Sequence, residues 1–184
     1  MTADMMVKHV DSVAIGWSRG RGIISSAIRK FDKSYYNHVF WAFRFSDVSL
    51  IYESHVNHGV QLSPFSQLVS AAATGAVDDY EMRTLDMYPE ERAALWANCA
   101  RLHGKGYDVR EILIYMAWIK CFGRRGDAPD TLNKPDKYTC NEFIVATGKH
   151  VVPILRHTDY KYTPETLYRL VMGKTSLDRA KEKK

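Results

Sequence analysis

Residues 37–56 read NHVFWAFRFSDVSLIYESHV. The stretch holds two runs rich in aromatic and β-branched residues, Asn37 to Phe45 and Val48 to Val56, with only residues 46–47 between them. Strand-forming runs separated by a two-residue turn are typical of a β-hairpin. We therefore predict an antiparallel sheet here, and an α+β domain in which this sheet packs against helices.

The register of this hairpin brings three polar side chains together. If residues 46–47 form the turn, residues equally distant from it face each other, which places His55 opposite His38 and Glu53 opposite Phe40. Side chains of a strand alternate between two faces, and diagonal neighbours on paired strands stay within reach. We therefore expect His38, Glu53 and His55 to share one face of the sheet.

A second informative stretch begins a helix at a cysteine. Thr139 suits the N-cap of a helix, and Glu142 three residues later completes a capping box, so Cys140 is the first helical residue. N–H groups at a helix N-terminus stabilise a thiolate, and they stabilise the charge on a carbonyl oxygen under attack. A nearby imidazole must take the thiol proton and return it to the leaving group. Cys140 is therefore a candidate nucleophile.

The remaining pattern predicts helices and strands around these two stretches. Three glycines within residues 15–22 predict a loop, and residues 123–137, rich in glycine, proline and charge, predict another. The further predicted strands are Gly59 to Phe65 and Val77 to Leu85, and the further predicted helices are Ile23 to Phe31, Pro89 to His103, Asp108 to Phe122 and a last one beginning at Thr163.

Length and composition indicate one soluble domain. The 184 residues, 46% hydrophobic and 26% charged, contain no repeat or linker, so residues 1–184 are predicted as a single domain. The longest apolar run, Ile112 to Ile119, is too short to span a membrane, and no signal peptide is recognised, so a cytoplasmic or phage-borne protein is expected. Part of the net charge of +5 lies in residues 174–184, which predict a basic, flexible tail.

The three cysteines have different predicted roles. Cys99, Cys121 and Cys140 show no CxxC spacing, so neither a disulfide framework nor a zinc ribbon is expected. Cys99 lies on the apolar stripe of a helix and Cys121 lies at a helix end, and both are interpreted as structural.

Five short motifs follow one another along the chain. They are Ser18 to Gly22, Tyr36 to Val39, Ile51 to Ser54 with Gly59-Val60, Gly106 to Asp108, and Thr139 to Phe143. In this order they resemble the YiiX/YaeF-type, circularly permuted branch of the NlpC/P60 superfamily, which also includes lecithin:retinol acyltransferase. The resemblance covers about residues 11–171. Unpermuted members have the cysteine first, whereas this branch has the histidine first, as here.

The resemblance implies a papain-like fold and a catalytic triad. It makes Cys140 the nucleophile, His38 the base and Glu53 the residue that orients the base, with His55 as the alternative third member. It implies a cysteine peptidase or amidase, an acyl hydrolase or transferase that acts on amide, peptide or ester bonds without a cofactor or metal. Its substrate would be a peptide, a peptidoglycan fragment or an acyl lipid.

Three other interpretations remain open at this point. The same fold could serve as a non-catalytic module that binds a peptide, a lipid or a partner protein. His38, His55 and Cys140 are residue types that zinc accepts as ligands. Nucleic-acid binding has only the mild positive charge and scattered aromatic residues in its favour, without a recognised module, and is not expected.

Overall fold

The computed structural model describes residues 10–122, 136–158 and 162–182. Its strands are β1 (Ser12–Gly20), β2 (His38–Phe45), β3 (Val48–His55), β4 (Gly59–Pro64) and β5 (Val77–Leu85). They form one antiparallel sheet in the order β4-β3-β2-β1-β5. The structure confirms the predicted α+β class, and it confirms the strands predicted on either side of residues 65–76.

The helices of the described residues pack around this sheet. None of them is long and apolar enough to cross a membrane. The alanine-rich segment after β4, which was not assigned from the sequence, is helical. The helices are α1 (Ile23–Asp32), α2 (Phe65–Ala73), α3 (Pro89–Arg101), α4 (Val109–Phe122), α5 (Cys140–Gly148), α6 (Pro164–Met172) and α7 (Ser176–Glu182), with a 3-10 turn at Pro153–Leu155. Residues 123–135 of the predicted loop lie outside the described ranges.

The hairpin register is confirmed. The paired residues run from Phe45 with Val48 to Trp41 with Tyr52, each pair equally distant from the turn. Ser46, in that turn, has a φ of 40°, a conformation that tight hairpin turns require. The odd-numbered residues of β2 face the core, where Trp41 donates its Nε1 hydrogen bond to Thr147 of α5 at 2.9 Å. His38 therefore belongs to the opposite face.

The glycine-rich segment is only partly a loop. β1 continues to Gly20, so the loop predicted over residues 15–22 is wrong for residues 15–20. β1 is a central strand, paired on both sides by β2 and β5. A Cβ added at Gly16 would lie 2.3 Å from Cε2 of Phe40. The glycine therefore makes room for an aromatic ring within the sheet, and it does not mark a turn.

The edge of the sheet at β4 is covered by a short segment after α3. Val60 donates its backbone N–H to the carbonyl of Lys105 at 2.7 Å and accepts from Gly104 at 2.9 Å. Gly59 has a φ of 68°, and a Cβ there would lie 2.1 Å from the Lys105 oxygen. This close backbone approach requires glycine and holds β4 in place.

The predicted tail is corrected by the structure. Within residues 174–182 the chain forms α7, whose first residue, Ser176, is fully buried. The hydroxyl of Ser176 accepts from the Tyr35 backbone N–H at 2.8 Å, and Arg179 lies 3.3 Å from Glu81. The basic composition of residues 174–184 predicted a solvated end. Composition gives no information on long-range contacts such as those of Ser176 and Arg179, so it did not indicate this helix.

Candidate active site

Cys140 is the first residue of α5, as predicted. Thr139 caps the helix: its hydroxyl accepts from the backbone N–H of Glu142 at 3.4 Å, and Oε2 of Glu142 accepts from the backbone N–H of Thr139 at 2.8 Å. The Cys140 side chain therefore starts at the positive end of the helix. Only 2% of the residue is exposed.

The segment before Cys140 is tied to the sheet. The Tyr138 N–H donates to the carbonyl of Gly106 at 2.9 Å, and the Tyr138 carbonyl accepts from the Ser54 hydroxyl at 2.6 Å. Ser54 is fully buried and follows Glu53 on β3. One strand thus fixes both the carboxylate of the candidate site and the start of the cysteine helix.

His38 links the carboxylate to the cysteine. Its Nε2 lies 2.7 Å from Oε2 of Glu53, and about 15% of each of these two side chains is exposed. Burial opposes a charge on the ring, but hydrogen bonds to Cys140 and Glu53, together with their negative charges, outweigh it and raise the pKa of His38 to about 10. Because Nε2 faces Glu53, Nδ1 is the ring nitrogen left for the sulfur.

Glu53 is held ionised by its surroundings. Burial opposes its charge, but His38, Gln61 and His55 outweigh that cost and lower the pKa of Glu53 to about 2. The amide of Gln61 donates to Oε1 of Glu53 at 3.0 Å, so each carboxylate oxygen has its own partner. Glu53 is therefore an anion beside an imidazolium across the neutral range.

His55 lies beside this pair without joining it. Its ring centroid is 6.2 Å from that of His38, on the same face of the sheet, as the register predicted. Burial and the charge of His38 lower the pKa of His55, although Glu53 acts in the opposite direction. The hydrogen bond at 2.7 Å favours Glu53 over His55 as the group that orients His38.

A cleft of about 790 Å³ opens beside His38. Its described lining contains His38, Glu53 and His55 but not Cys140, whose sulfur lies beneath the surface. About half of the other lining residues are apolar, and polar side chains such as Arg21 and Asn37 also line it. Ile23 at the start of α1 is 90% exposed. The apolar residues from the two flanking helices are Ile23, Ile24 and Ile28 of α1 and Leu68 and Ala71 of α2.

The other two cysteines lie in different surroundings. Cys99 of α3 is fully buried, and burial raises the pKa of its thiol far above the ordinary value, although Thr147 acts in the opposite direction. Cys121 is exposed at the end of α4. Cys99 is therefore a neutral core side chain, consistent with its interpretation as structural.

A zinc site at His38, His55 and Cys140 finds no support in the arrangement of these residues. Among the side chains that the structure describes, no three His, Cys, Asp or Glu residues are grouped so that they could hold a metal ion. Compared with known proteins, the chain matches no protein-family model and no curated protein.

Two supporting residues were missed by the sequence analysis. Gln61 faces Glu53 in the pairing of β3 with β4, and Ser54 reaches the segment before Cys140. The sequence signal that could have found Gln61 is the second turn, at residues 56–58. Pairing residues at equal distances from this turn places Gln61 opposite Glu53. The contact of Ser54 joins residues far apart in sequence, and no local pattern indicates it.

Proposed function

We propose that this protein is a cysteine-dependent acyl hydrolase with a papain-like fold of the permuted NlpC/P60 type. Cys140 is the nucleophile, His38 the general base and Glu53 the residue that orients it. The observation that carries the proposal is the His38 ring, bonded to Glu53 at 2.7 Å and next to a cysteine that opens a helix. Nucleophile, base and orienting group are the three parts that this chemistry needs.

The reaction follows from these positions. The Cys140 thiolate attacks the carbonyl carbon, and backbone N–H groups at the start of α5 stabilise the charge on the carbonyl oxygen. The His38 imidazolium gives its proton to the departing alcohol or amine, which leaves a thioester on Cys140. His38, now neutral, takes a proton from water as the water oxygen attacks the thioester. The carbon–sulfur bond breaks, the carboxylic acid leaves, and the Cys140 thiolate and the His38 imidazolium are restored.

The cleft favours an apolar acyl group as the substrate. Isoleucine, leucine and alanine side chains from α1 and α2 line it, and burying them against a hydrocarbon chain is favourable. A cell-wall peptide carries carboxylates and amides that need polar partners when they are buried. An acyl ester or acyl amide fits the apolar part of this lining, formed by α1 and α2, while Arg21, Asn37 and Gln67 can hold the polar end of the substrate.

A series of esters tests the proposal. We expect the wild-type protein to hydrolyse p-nitrophenyl esters, with kcat/KM rising from acetate to octanoate by up to about fourfold per methylene group. Peptide p-nitroanilides serve as the polar comparison, and Cys140→Ala gives the blank. Turnover no faster than that blank on every ester and anilide would overturn the hydrolase and leave the fold as a binding module.

The pH profile identifies the third member of the triad. Because the Glu53 carboxylate helps to raise the pKa of His38 to about 10, Glu53→Gln should lower that pKa. The alkaline fall of kcat/KM, where the imidazolium loses its proton, should then move to lower pH. His55→Gln should leave the position of this fall unchanged. A shift caused by the His55 variant alone would make His55 the orienting residue.

A further inference from the structure

Gln61 occupies a defined place next to the candidate triad. It lies directly opposite Glu53 in the pairing of β3 with β4. Its Nε2 donates to Oε1 of Glu53 at 3.0 Å, while Oε2 of the same carboxylate lies 2.7 Å from Nε2 of His38. The three side chains form a line in which the carboxylate has one partner at each oxygen.

The strand that carries Gln61 is anchored from its other side. Both backbone groups of Val60 bond to residues 104–105, and Gly59 approaches the Lys105 carbonyl too closely to allow a side chain. Gln61 is only partly exposed, and it does not belong to the described lining of the cleft. Its amide is therefore directed at Glu53 from a fixed backbone, outside the region where a substrate would lie.

We propose that Gln61 is a positioning residue that acts through Glu53: by holding one carboxylate oxygen, it directs the other to the His38 ring. The inference rests on the proposed function. The terminal torsion of a glutamate is broad, so a carboxylate held at only one oxygen rotates over a wide range. Catalytic groups need alignment within about 0.5 Å, and a second hydrogen bond restricts that rotation.

Gln61→Met tests this role while keeping the length of the side chain. We expect kcat to fall about three- to tenfold with KM unchanged, because one hydrogen bond that supports a charged group is lost and the cleft is left intact. The pKa of the Glu53 carboxyl, followed by carbon NMR, should rise by about half a unit to one unit. Raised KM with unchanged kcat would make Gln61 a substrate contact and overturn the proposal.

Gln61→Glu provides a second variant with a pH-dependent signature. Two carboxylates side by side share a proton, so the new glutamate should be ionised at pH 8 and protonated at lower pH. Once protonated, its hydroxyl can donate to Oε1 of Glu53 as the amide does. His38 and His55 are the other titratable groups that act on Glu53, and both are unchanged in this variant. We expect the ratio of its activity to that of the wild type to rise as the pH falls from about 8 to about 5.5.

The Glu53→Gln background separates a positioning role from a general loss of stability. If Gln61 acts through the carboxylate, Gln61→Met should change kcat by less than about twofold in that background. An equal loss in both backgrounds, or a Gln61→Glu activity ratio that does not depend on pH, would overturn the proposal. The NMR titration of Glu53 needs no turnover, so it tests Gln61 even if the wild-type protein hydrolyses none of the esters.

Discussion

We expect Cys140→Ala to lower kcat/KM for ester hydrolysis by roughly three orders of magnitude or more. The reason is that the proposed acyl-enzyme cannot form without the sulfur. The thermal midpoint should change by only a few degrees, because the first turn of α5 keeps its capping box of Thr139 and Glu142. Initial rates with an octanoyl ester, together with a melting curve of the same sample, measure both effects.

The other cysteines provide matched controls for this variant. Cys121→Ala changes an exposed thiol and should leave activity and stability as they are. Cys99→Ser places a hydroxyl in a fully buried position and should destabilise the fold by about 1–3 kcal/mol. Cys140→Ala that keeps more than a tenth of wild-type activity would refute the assignment of the nucleophile.

We expect His38→Ala to slow alkylation of Cys140 at pH 6 by roughly ten- to a hundredfold. In the wild-type protein an imidazolium beside the sulfur stabilises the thiolate, and the pKa of His38, raised to about 10, keeps that imidazolium charged through the neutral range. Removing the imidazole removes both the group that takes the thiol proton and the charge that stabilises the sulfur anion. The difference between wild type and His38→Ala should narrow at alkaline pH, where hydroxide takes the thiol proton in place of the imidazole.

The reagent and the readout follow from the burial of the sulfur. Only 2% of Cys140 is exposed, so a small alkylating agent is used and the modified residue is located by mass spectrometry. Cys99 should stay unmodified in the folded protein, because its buried thiol is neutral, and should react once the chain is unfolded in guanidinium. Identical pH profiles for wild type and His38→Ala would mean that no base acts on Cys140.

Local patterns were sufficient for much of the fold and for the parts of the site. The two-residue turn at residues 46–47 determined the hairpin register, because residues at equal distances from a tight turn pair with each other. Thr139 and Glu142 determined where α5 begins, because a capping box acts within one helical turn. The pattern predicted a loop at Gly16, where the structure has a strand. The glycine is needed there because the ring of Phe40, a residue distant along the chain, packs against it.

By itself, the sequence determined that His38 and Glu53 share a face of one hairpin and that Cys140 opens a helix, since both follow from periodicity and caps. Only the tertiary structure brings the hairpin that carries His38 and Glu53 next to the helix that begins at Cys140. Ser54 on β3 holds the segment before Cys140, residues 104–105 hold the edge of the sheet, and Gln61 holds the carboxylate. Most of these contacts join residues that are distant along the chain, and the contact of Gln61 crosses a turn whose register the sequence did not define. Their geometry exists only after the helices and the sheet have packed.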